Sequence, residues 1–197
     1  MEHILPYLLS AFIGIGLAAA SGFRVFLPLF AVSLSSYLGW IPMSDNFEWL
    51  SGLPTLITTG VATVIEILAY YIPVVDNFLD TLSIPLATIA GSVLFASQFM
   101  ELETFPQWAL ALIAGGGTAA TIASGFAGTR AASTATTAGI GNNIVATTET
   151  AGAGLMSVLS IFLPVIAFIL AIVLIIAVLF FGRKLWRKMK TQNSGIF

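Results

Sequence analysis

The sequence has no cysteine, a single histidine and few charged residues, and each shortage excludes a class of protein. Without cysteine there are no disulfides, thiolate metal sites or cysteine nucleophiles. Because His3 is the only histidine, histidine clusters for metal binding or catalysis are excluded as well. Charged residues make up 8% of the chain, whereas a soluble domain carries roughly 25%. The sequence therefore points away from thiol enzymes, zinc enzymes and ordinary soluble domains.

The chain has instead a large excess of apolar residues. Hydrophobic residues account for 58% of its 197 residues. A chain this short has too much surface for its volume to hide that many apolar side chains from water, but a bilayer solvates them. We therefore predict an all-α, polytopic bundle of transmembrane helices, with one membrane domain over residues 1–182 and a basic cytoplasmic tail over residues 183–197.

Hydropathy divides the membrane domain into segments. A spanning helix needs about 20 predominantly apolar residues, and residues 25–40 are short while residues 131–154 are polar. Each of these two segments can span or re-enter, because irregular backbone at membrane depth is tolerated inside protein. We predict about seven segments, or five if both re-enter: Ile4–Phe23, Val25–Trp40, Leu53–Ile72, Thr81–Met100, Pro106–Phe126, Ala131–Gly154 and Leu155–Phe181.

The basic residues predict an orientation, because Lys and Arg collect on the cytoplasmic side of membrane helices. With the C-terminus inside, seven passes place every basic residue in the cytoplasm: Arg24, Arg130, Arg183, Lys184, Arg187, Lys188 and Lys190. The acidic loop residues then fall outside: Asp45, Glu48, Glu101 and Glu103. We expect a multi-pass protein of the cell membrane, a bacterial inner membrane, with the N-terminus outside and a tail that attracts anionic lipids.

Two stretches of the chain resemble each other. Leu9–Phe23 reads LSAFIGIGLAAASGF, Leu112–Phe126 reads LIAGGGTAATIASGF, and an arginine follows each. Internal repeats occur in transporters, whose binding sites lie between the halves. The pattern predicts a 3+1+3 repeat, with halves at about 4–72 and 105–182 and a linker helix at 77–100. Alternatively, the glycines and alanines serve only close packing of helices.

A polar stripe marks one predicted helix. Glu66 follows Thr55, Thr59 and Thr63 and precedes Tyr70 at spacings of three and four residues, which places these side chains on one helix face. Because charged groups are costly inside a membrane, this face is expected to point into the bundle. Glu66 is then either half of a buried ion pair or a carboxylate that binds a proton or a cation.

The other candidate charges are two arginines and two aspartates. Arg24 and Arg130 can extend from helix ends to the lipid headgroups, or they can bind a phosphate or carboxylate through two parallel hydrogen bonds, or pair with Glu66. Asp76 and Asp80, one helical turn apart, are candidates for ion binding or pairing with an arginine. Alternatively, Asp76 caps a helix and both aspartates place negative charge in its first turn.

The segment Ala131–Gly154 is polar on more than one helix face, which argues against contact with lipid. Gly139 and Gly141 can break the helix and so expose backbone groups to a ligand; the alternative is a mobile soluble loop. We expect this segment to line a substrate path, with these candidate residues: Ser133, Thr136, Thr137, Asn142, Asn143, Thr147 and Glu149.

Three parts of the sequence form recognisable motifs. Ser21–Pro28 reads SGFRVFLP, Glu66 is followed by Pro73–Asn77 (PVVDN), and Ala127–Thr137 reads AGTRAASTATT, with Gly-Asn at 141–142. Together these motifs resemble an uncharacterised bacterial membrane family, the domain of unknown function numbered 4126. The resemblance covers nearly the whole membrane portion. It implies a membrane domain and no established activity.

Three functions stay open from the sequence. The first is a small transporter or channel for a small polar or anionic solute, with a path around Arg24, Glu66, Arg130 and residues 133–150. The second is a lipid scramblase or flippase, and the third is a scaffold that transports nothing. We expect no enzyme activity, metal or cofactor, since P-loop, metal-histidine and nucleophile-elbow signatures are missing. Nucleic-acid binding is not expected from so short a basic tail, and formation of a homo-oligomer stays open.

Overall fold

The computed structural model describes residues 4–100 and 102–193, apart from the side chains of residues 73, 74, 76, 77 and 185–193. Glu101 therefore lies outside the described residues. The described part is helical and contains no strand. Its helices are α1 (Ile4–Ser21), α2 (Phe26–Tyr37), a 3-10 helix (Asp45–Ser51), α3 (Leu53–Ala69), α4 (Pro73–Ala96), α5 (Thr104–Thr137), α6 (Asn142–Phe162) and α7 (Pro164–Asn193).

Most of these helices are long and apolar enough to cross a membrane. Five pass this test: α1, α5, α6, the Phe78–Ala96 part of α4 and the Pro164–Lys184 part of α7. The 3-10 helix and α3 together form a sixth candidate, bent by 59°. With 12 residues, α2 is only about 18 Å long, shorter than the ~30 Å hydrocarbon layer. The chain is thus a multi-pass membrane protein, and the prediction of a bundle of five to seven segments is confirmed.

The polar segment Ala131–Gly154 is the end of one helix and the start of another. α5 continues to Thr137 and α6 begins at Asn142. Between them, Ala138 and Gly139 have φ angles of 52° and 88°, in the left-handed region where helices commonly end. Alanine and threonine fit a helix on either side of this point, so hydropathy alone misplaces the boundary. The break predicted in this segment is a turn that connects two neighbouring helices.

The predicted segment Leu155–Phe181 is also divided. α6 runs to Phe162, and α7 begins at Pro164. Proline lacks the amide hydrogen that the helix would need, and its ring clashes with the preceding turn. The backbone changes direction at Leu163, where φ is −137° and ψ is 62°. The number of helical segments agrees with the prediction, but the bounds in the C-terminal half are shifted.

The helix α4 starts earlier than the predicted linker helix. Its capping residue is Ile72 and its first helical residue is Pro73. Proline suits the first position because the amide hydrogen that it lacks would have no partner in the helix. Asp76 therefore lies inside the first turn. The prediction that Asp76 is the capping residue is wrong, although its position in the first turn is as expected.

The helix α1 lies at the centre of the bundle. It packs against α4, α5, α6 and α7, and small side chains allow such close contacts. α4 and α5 approach each other as closely, because a Cβ atom added to Gly115 would lie 2.6 Å from the carbonyl oxygen of Gly91. The buried small residues of α1 are Gly14, Gly16, Ala18, Ala19, Ala20 and Ser21.

α2 and α3 form a hairpin at the edge of this bundle. α3 packs mainly on α2 and on the 3-10 helix, whereas α2 also contacts α1, α4 and α6. The prediction that the polar stripe of α3 faces inward is confirmed for four of its five residues. Thr55, at the start of the stripe, is half-buried, and the others are buried: Thr59, Thr63, Glu66 and Tyr70. The opposite face exposes apolar side chains, including Ile57, Val61, Ile65 and Leu68.

The two ends of the bundle differ in character. Successive helices alternate in direction, so that α1, α3 and α5 end where α2, α4 and α6 begin. Arg24 and Arg130 lie at this end, which we call the arginine end. At the opposite end Trp40 packs on Phe162, with ring centroids 5.7 Å apart, and Trp108 lies near the start of α5. The arginines and these tryptophans thus occupy opposite ends of the bundle.

Candidate functional site

Arg24 lies in the turn between α1 and α2 with its side chain directed into the bundle. The turn is closed by the amide of Arg24, which donates to the carbonyl oxygen of Ala20 at 3.2 Å. In the side chain, Nε donates to Oγ1 of Thr150 at 3.1 Å, and Nη2 donates to the carbonyl oxygen of Ala146 at 2.8 Å. Nη2 also lies 3.6 Å from Oε2 of Glu149. With only 1% of its surface exposed, Arg24 is held by α6 and does not extend to the headgroups.

Arg130 reaches the same carboxylate from α5. Its Nε donates to Oε1 of Glu149 at 2.9 Å, and its Nη2 donates to Oε2 in a second, short bond. Nη1 lies 3.3 Å from Oδ1 of Asp80 on α4. Arg130 and Glu149 are 3% and 2% exposed, whereas 24% of the Asp80 side chain is exposed. A bidentate ion pair of this kind fixes orientation as well as distance, and here it joins α4, α5 and α6.

Tyr70 brings the α2–α3 hairpin to both arginines. The guanidinium carbons of Arg24 and Arg130 lie 3.8 and 4.1 Å from the centroid of its ring. Cations are attracted to the face of an aromatic ring, most strongly where water is excluded. The next residue, Tyr71, shares a hydrogen bond of 2.9 Å with the hydroxyl of Thr147. We call the following residues the arginine cluster: Arg24, Tyr70, Asp80, Arg130 and Glu149.

Glu66 serves the backbone of α2. Its Oε1 accepts a hydrogen bond from the amide of Val25 at 2.8 Å, and its Oε2 accepts one from Phe26 at 3.0 Å. The first amides of a helix have no partner within the helix, and negative charge is favourable beside them. Glu66 is therefore a cap supplied by the neighbouring helix. One interpretation of the sequence pairs the arginines with Glu66, but the carboxylate that pairs with them is Glu149.

Three charged residues of the cluster lie at a common depth. Arg130 is seven residues before the end of α5, Glu149 is seven residues after the start of α6, and Asp80 is seven residues after the start of α4. At a rise of 1.5 Å per residue, each lies about 10 Å inside its helix. Because the three helix ends adjoin, equal depths bring the three side chains together.

The packing of α7 on α5 shows how the level of Arg130 compares with the apolar stretch of α7. A Cβ atom on Gly125 would lie 2.6 Å from Cγ2 of Val178, so the two residues are level. α5 and α7 run in the same direction, and Arg130 and Arg183 each come five residues later. Arg130 therefore lies near the level where the apolar stretch of α7 ends. The turn between α5 and α6 follows Thr137, seven residues after Arg130, and so projects beyond the level where the apolar stretch of α7 ends.

Most of the candidate path residues of the polar segment lie on this projecting part. Their hydroxyl groups mainly donate to backbone carbonyls one turn earlier in the same helix, a bond typical of serine and threonine within helices. Ser133 is half-buried, and four others are exposed: Thr136, Thr137, Asn143 and Thr147. The structure places them outside the cluster, except that Thr147 reaches its edge through Tyr71.

Three further candidates lie at different distances from the cluster. Asn142 is buried, and its Nδ2 donates to Oγ1 of Thr134 at 3.1 Å, which joins the two sides of the turn. Asp80 is part of the cluster through Arg130. The side chain of Asp76 lies outside the described residues, so its predicted pairing stays a prediction.

Tyr70 and Thr150 are partners of the arginines that the sequence does not predict. The one indication that Tyr70 lies near the arginines is its position four residues after Glu66, on the stripe that faces inward. Thr150 is the last of the residues 133–150 that are expected to line a solute path, and not a predicted partner of Arg24. The carbonyl oxygen of Ala146 has no signal in the sequence, because every residue carries one.

A small cavity adjoins the cluster. Its volume is about 20 Å³, and a cavity needs ~10–15 Å³ to hold one water molecule. It thus has room for about one water and for no larger solute in this conformation. The lining combines cluster residues with small and aromatic side chains: Tyr70, Asp80, Arg130 and Glu149 together with Ser83 and Phe126.

The chemistry available at this site is the pairing of charges. The cluster offers guanidinium donors, carboxylate acceptors and one aromatic face, and its two positive charges are matched by Glu149 and Asp80. The described part of the chain contains no group of three or more histidine, aspartate or glutamate side chains placed to hold a metal ion. Such a site can hold, release or exchange an ionic partner.

Comparison with known proteins identifies a family. Residues 11–184 match the family described as domain of unknown function DUF4126. The chain belongs to this family. No curated protein and no solved structure matches the sequence.

The DUF4126 motifs noted in the sequence meet at the arginine end. Ser21–Pro28 contains Arg24, and Ala127–Thr137 contains Arg130. Glu66 caps the helix that begins within the first motif, and Pro73–Asn77 forms the first turn of α4. The motifs of this DUF4126 chain are far apart in the sequence, and two of them supply the two arginines of the cluster.

Proposed function

We propose that this DUF4126 protein is a small membrane transporter for a small polar or anionic solute, and that the arginine cluster closes the path at one end. The observation that carries the proposal is the convergence of Arg24 and Arg130, from two distant parts of the chain, on the buried carboxylate of Glu149. The path itself would open between the α2–α3 hairpin and the central bundle.

The energetics of buried charge favour a functional role for the cluster over a purely structural one. Removing charges from water is costly, and well-packed apolar side chains often stabilise a protein as much as a buried ion pair does. A scaffold would therefore gain little from two buried arginines. Ionisable groups at membrane depth usually mark the path of a solute or an ion.

The arrangement of helices supports a closure that can open. Tyr70 is attached to the hairpin at the edge of the bundle, while Arg24, Arg130 and Glu149 belong to the turn and helices around α1. A small movement of the hairpin would withdraw the ring from the two guanidinium groups and enlarge the adjoining cavity. Relative movement of two parts around a fixed site is how many transporters alternate access.

The orientation and the repeat belong to the same proposal. We place the arginine end in the cytoplasm of a cell, because Arg183 and Lys184 are exposed at that end of α7 and basic residues collect on that side. The side chains of the other basic tail residues lie outside those described. In favour of a repeat, Phe23 and Phe126 hold matching positions in the two similar stretches, and their ring centroids are 4.8 Å apart.

Reconstitution into liposomes tests the proposal. Uptake of acetate, succinate, inorganic phosphate and glycerol would be measured for the wild type, Arg130→Ala and Glu149→Gln, with Glu48→Gln as a control for an exposed carboxylate at the opposite end. We expect uptake of at least one anion by the wild type and Glu48→Gln, and its loss in Arg130→Ala.

A second assay separates the alternative. The same liposomes would carry a labelled lipid whose passage between leaflets is followed by quenching. Lipid passage that depends on Arg130, without uptake of any solute, would replace the transporter by a scramblase. If folded wild-type protein moves neither solutes nor lipid, the transport proposal is wrong.

A further inference from the structure

The guanidinium group of Arg24 is only partly used in the observed contacts. Its Nε and Nη2 donate to Thr150 and Ala146, but Nη1 is buried and has no hydrogen-bond partner among the described residues. An unsatisfied buried donor costs about 1–3 kcal/mol, and more when it is charged. Such an atom is therefore unusual in a well-packed core, and it indicates that Arg24 has capacity for another acceptor.

Glu149 is bound in the manner of a small anionic ligand. Its two oxygens receive parallel hydrogen bonds from Arg130, and one of them also lies 3.6 Å from Arg24. Free carboxylates and phosphates take the same geometry with arginine, because the planar fork of the guanidinium matches two oxygens at once. The carboxylate of Glu149 thus occupies a position that a free oxyanion would fit.

We infer that Arg24 and Arg130 form a binding site for an oxyanion, a carboxylate or a phosphate group, and that Glu149 occupies this site in the closed conformation. The oxyanion is then the solute of the proposed transporter, and the biological role of the site rests on that proposed function. Binding itself is measured without transport, so that the two ideas can fail separately.

The surroundings favour exchange of one anion for another. Both arginines are already removed from water, so an incoming anion does not bear the cost of desolvating them, which usually opposes binding to charged groups. The adjoining cavity is lined by Arg130 and Glu149, and it provides space beside the ion pair. Tyr70 contacts both guanidinium groups, so its withdrawal with the hairpin would give the anion access.

The test uses the purified full-length protein in detergent and isothermal titration calorimetry. Inorganic phosphate is the free anion, and a short-chain phosphatidylglycerol presents the same group as a lipid headgroup. We expect Glu149→Gln to bind phosphate at least ~10-fold more tightly than the wild type, equivalent to about 1.4 kcal/mol, because a neutral amide no longer competes for the arginines. The matched control Glu48→Gln should bind as the wild type does.

Two further variants test whether the tighter phosphate binding depends on Arg24, and replace Glu149→Gln if that variant does not fold. Adding Arg24→Gln to Glu149→Gln should abolish the gain in affinity. If Glu149→Gln is not monodisperse and folded, Tyr70→Leu replaces it; that variant keeps the carboxylate but uncovers the guanidinium groups, and it should bind phosphate more tightly than the wild type.

The outcomes distinguish the source of the anion and the role of the site. Tighter binding of phosphate identifies a free anion, and tighter binding of the lipid alone identifies a headgroup. If folded Glu149→Gln and Tyr70→Leu bind neither probe, or if Glu48→Gln gains as much, the site does not exist. If the protein binds an anion but liposomes show no uptake, the binding site is retained and the transport proposal is rejected. If liposomes show uptake but no anion binds, transport is retained and the binding site is rejected.

Discussion

The carboxylate of Glu66 accepts the amide hydrogen of Val25 at 2.8 Å, and so fixes the first turn of α2 from the neighbouring helix. The other oxygen of the same group receives the amide of Phe26. α2 has no capping side chain of its own, because Arg24 and Val25 leave no hydroxyl, amide or carboxylate group at the usual position. The start of one helix in the hairpin thus depends on a residue in the other.

Replacing Glu66 by alanine should loosen the first turn of α2. Two amides lose their acceptor, and loss of a capping group costs about 0.5–2 kcal/mol. Hydrogen exchange followed by mass spectrometry should show faster exchange in the peptide that contains Val25 and Phe26. Glu66→Gln retains one acceptor oxygen and should have a smaller effect, so equal exchange in both variants would contradict the capping role.

The ring of Tyr70 should contribute to stability through its two guanidinium contacts. Each cation–π contact is worth about 0.5–2 kcal/mol, depending on its exposure to water. We expect Tyr70→Leu to lower the free energy of unfolding in detergent, and Tyr70→Phe, which keeps the ring, to have a smaller effect. A Tyr70→Phe variant as unstable as Tyr70→Leu would show that the hydroxyl group, not the ring, is what matters.

Contact between α4 and α5 should be sensitive to a single methyl group. A Cβ atom on Gly115 would lie 2.5 Å from Cβ of Phe95 and 2.6 Å from the carbonyl oxygen of Gly91, so Gly115→Ala must separate the helices. Such overpacking costs about 1–3 kcal/mol, measurable as a lower thermal unfolding temperature.

The control for this substitution lies two residues later on the same helix. A Cβ atom on Gly117 would meet nothing within 4 Å, and alanine is favoured over glycine in a helix by about 0.5–1 kcal/mol. Gly117→Ala should therefore leave the unfolding temperature unchanged or raise it. If both alanine variants behave alike, the close approach of α4 and α5 is not what limits stability.

The orientation can be tested with single cysteines, because the natural chain has none. Ile140, in the turn between α5 and α6, is 80% exposed, and Glu48 is exposed in the 3-10 helix. A membrane-impermeant maleimide should label Ile140→Cys from the cytoplasmic side and Glu48→Cys from the outer side. Labelling of both variants from one side would overturn the seven-pass topology.

Local patterns in the sequence predicted those parts of the structure that depend on local physics. The stripe that ends in Glu66 and Tyr70 follows from helical spacing and the cost of burying polar groups, and both side chains are buried. The position of both arginines at one end of the bundle follows from the alternation of helices. The burial of Arg24 and Arg130 is compatible with the sequence, but snorkelling was an equally good interpretation.

Other features depend on contacts between distant residues, and the sequence could not supply them. Glu66 and Glu149 are both acidic residues within apolar helices, and only the packing of α6 against α1 decides which one meets the arginines. Gly139 and Gly141 predict a break in the polar segment, but alanine and threonine fit a helix on both sides of it, so the sequence does not show that the break joins two membrane helices. A left-handed alanine has no distinctive pattern in its neighbours.

The residues that accept hydrogen bonds from the Arg24 side chain, Ala146 and Thr150, are synthesised long after Arg24. The carbonyl oxygen of Ala146 lies 122 residues further along the chain, and polypeptides emerge from the ribosome with the N-terminal part first. While α2 to α5 are synthesised, Arg24 lacks its hydrogen-bond partners in α6. The hydrogen bonds that Arg24 makes to Thr150 and Ala146 can form only after α6 has been made. The central helix of the bundle is thus made before the helix that buries the arginine at its end.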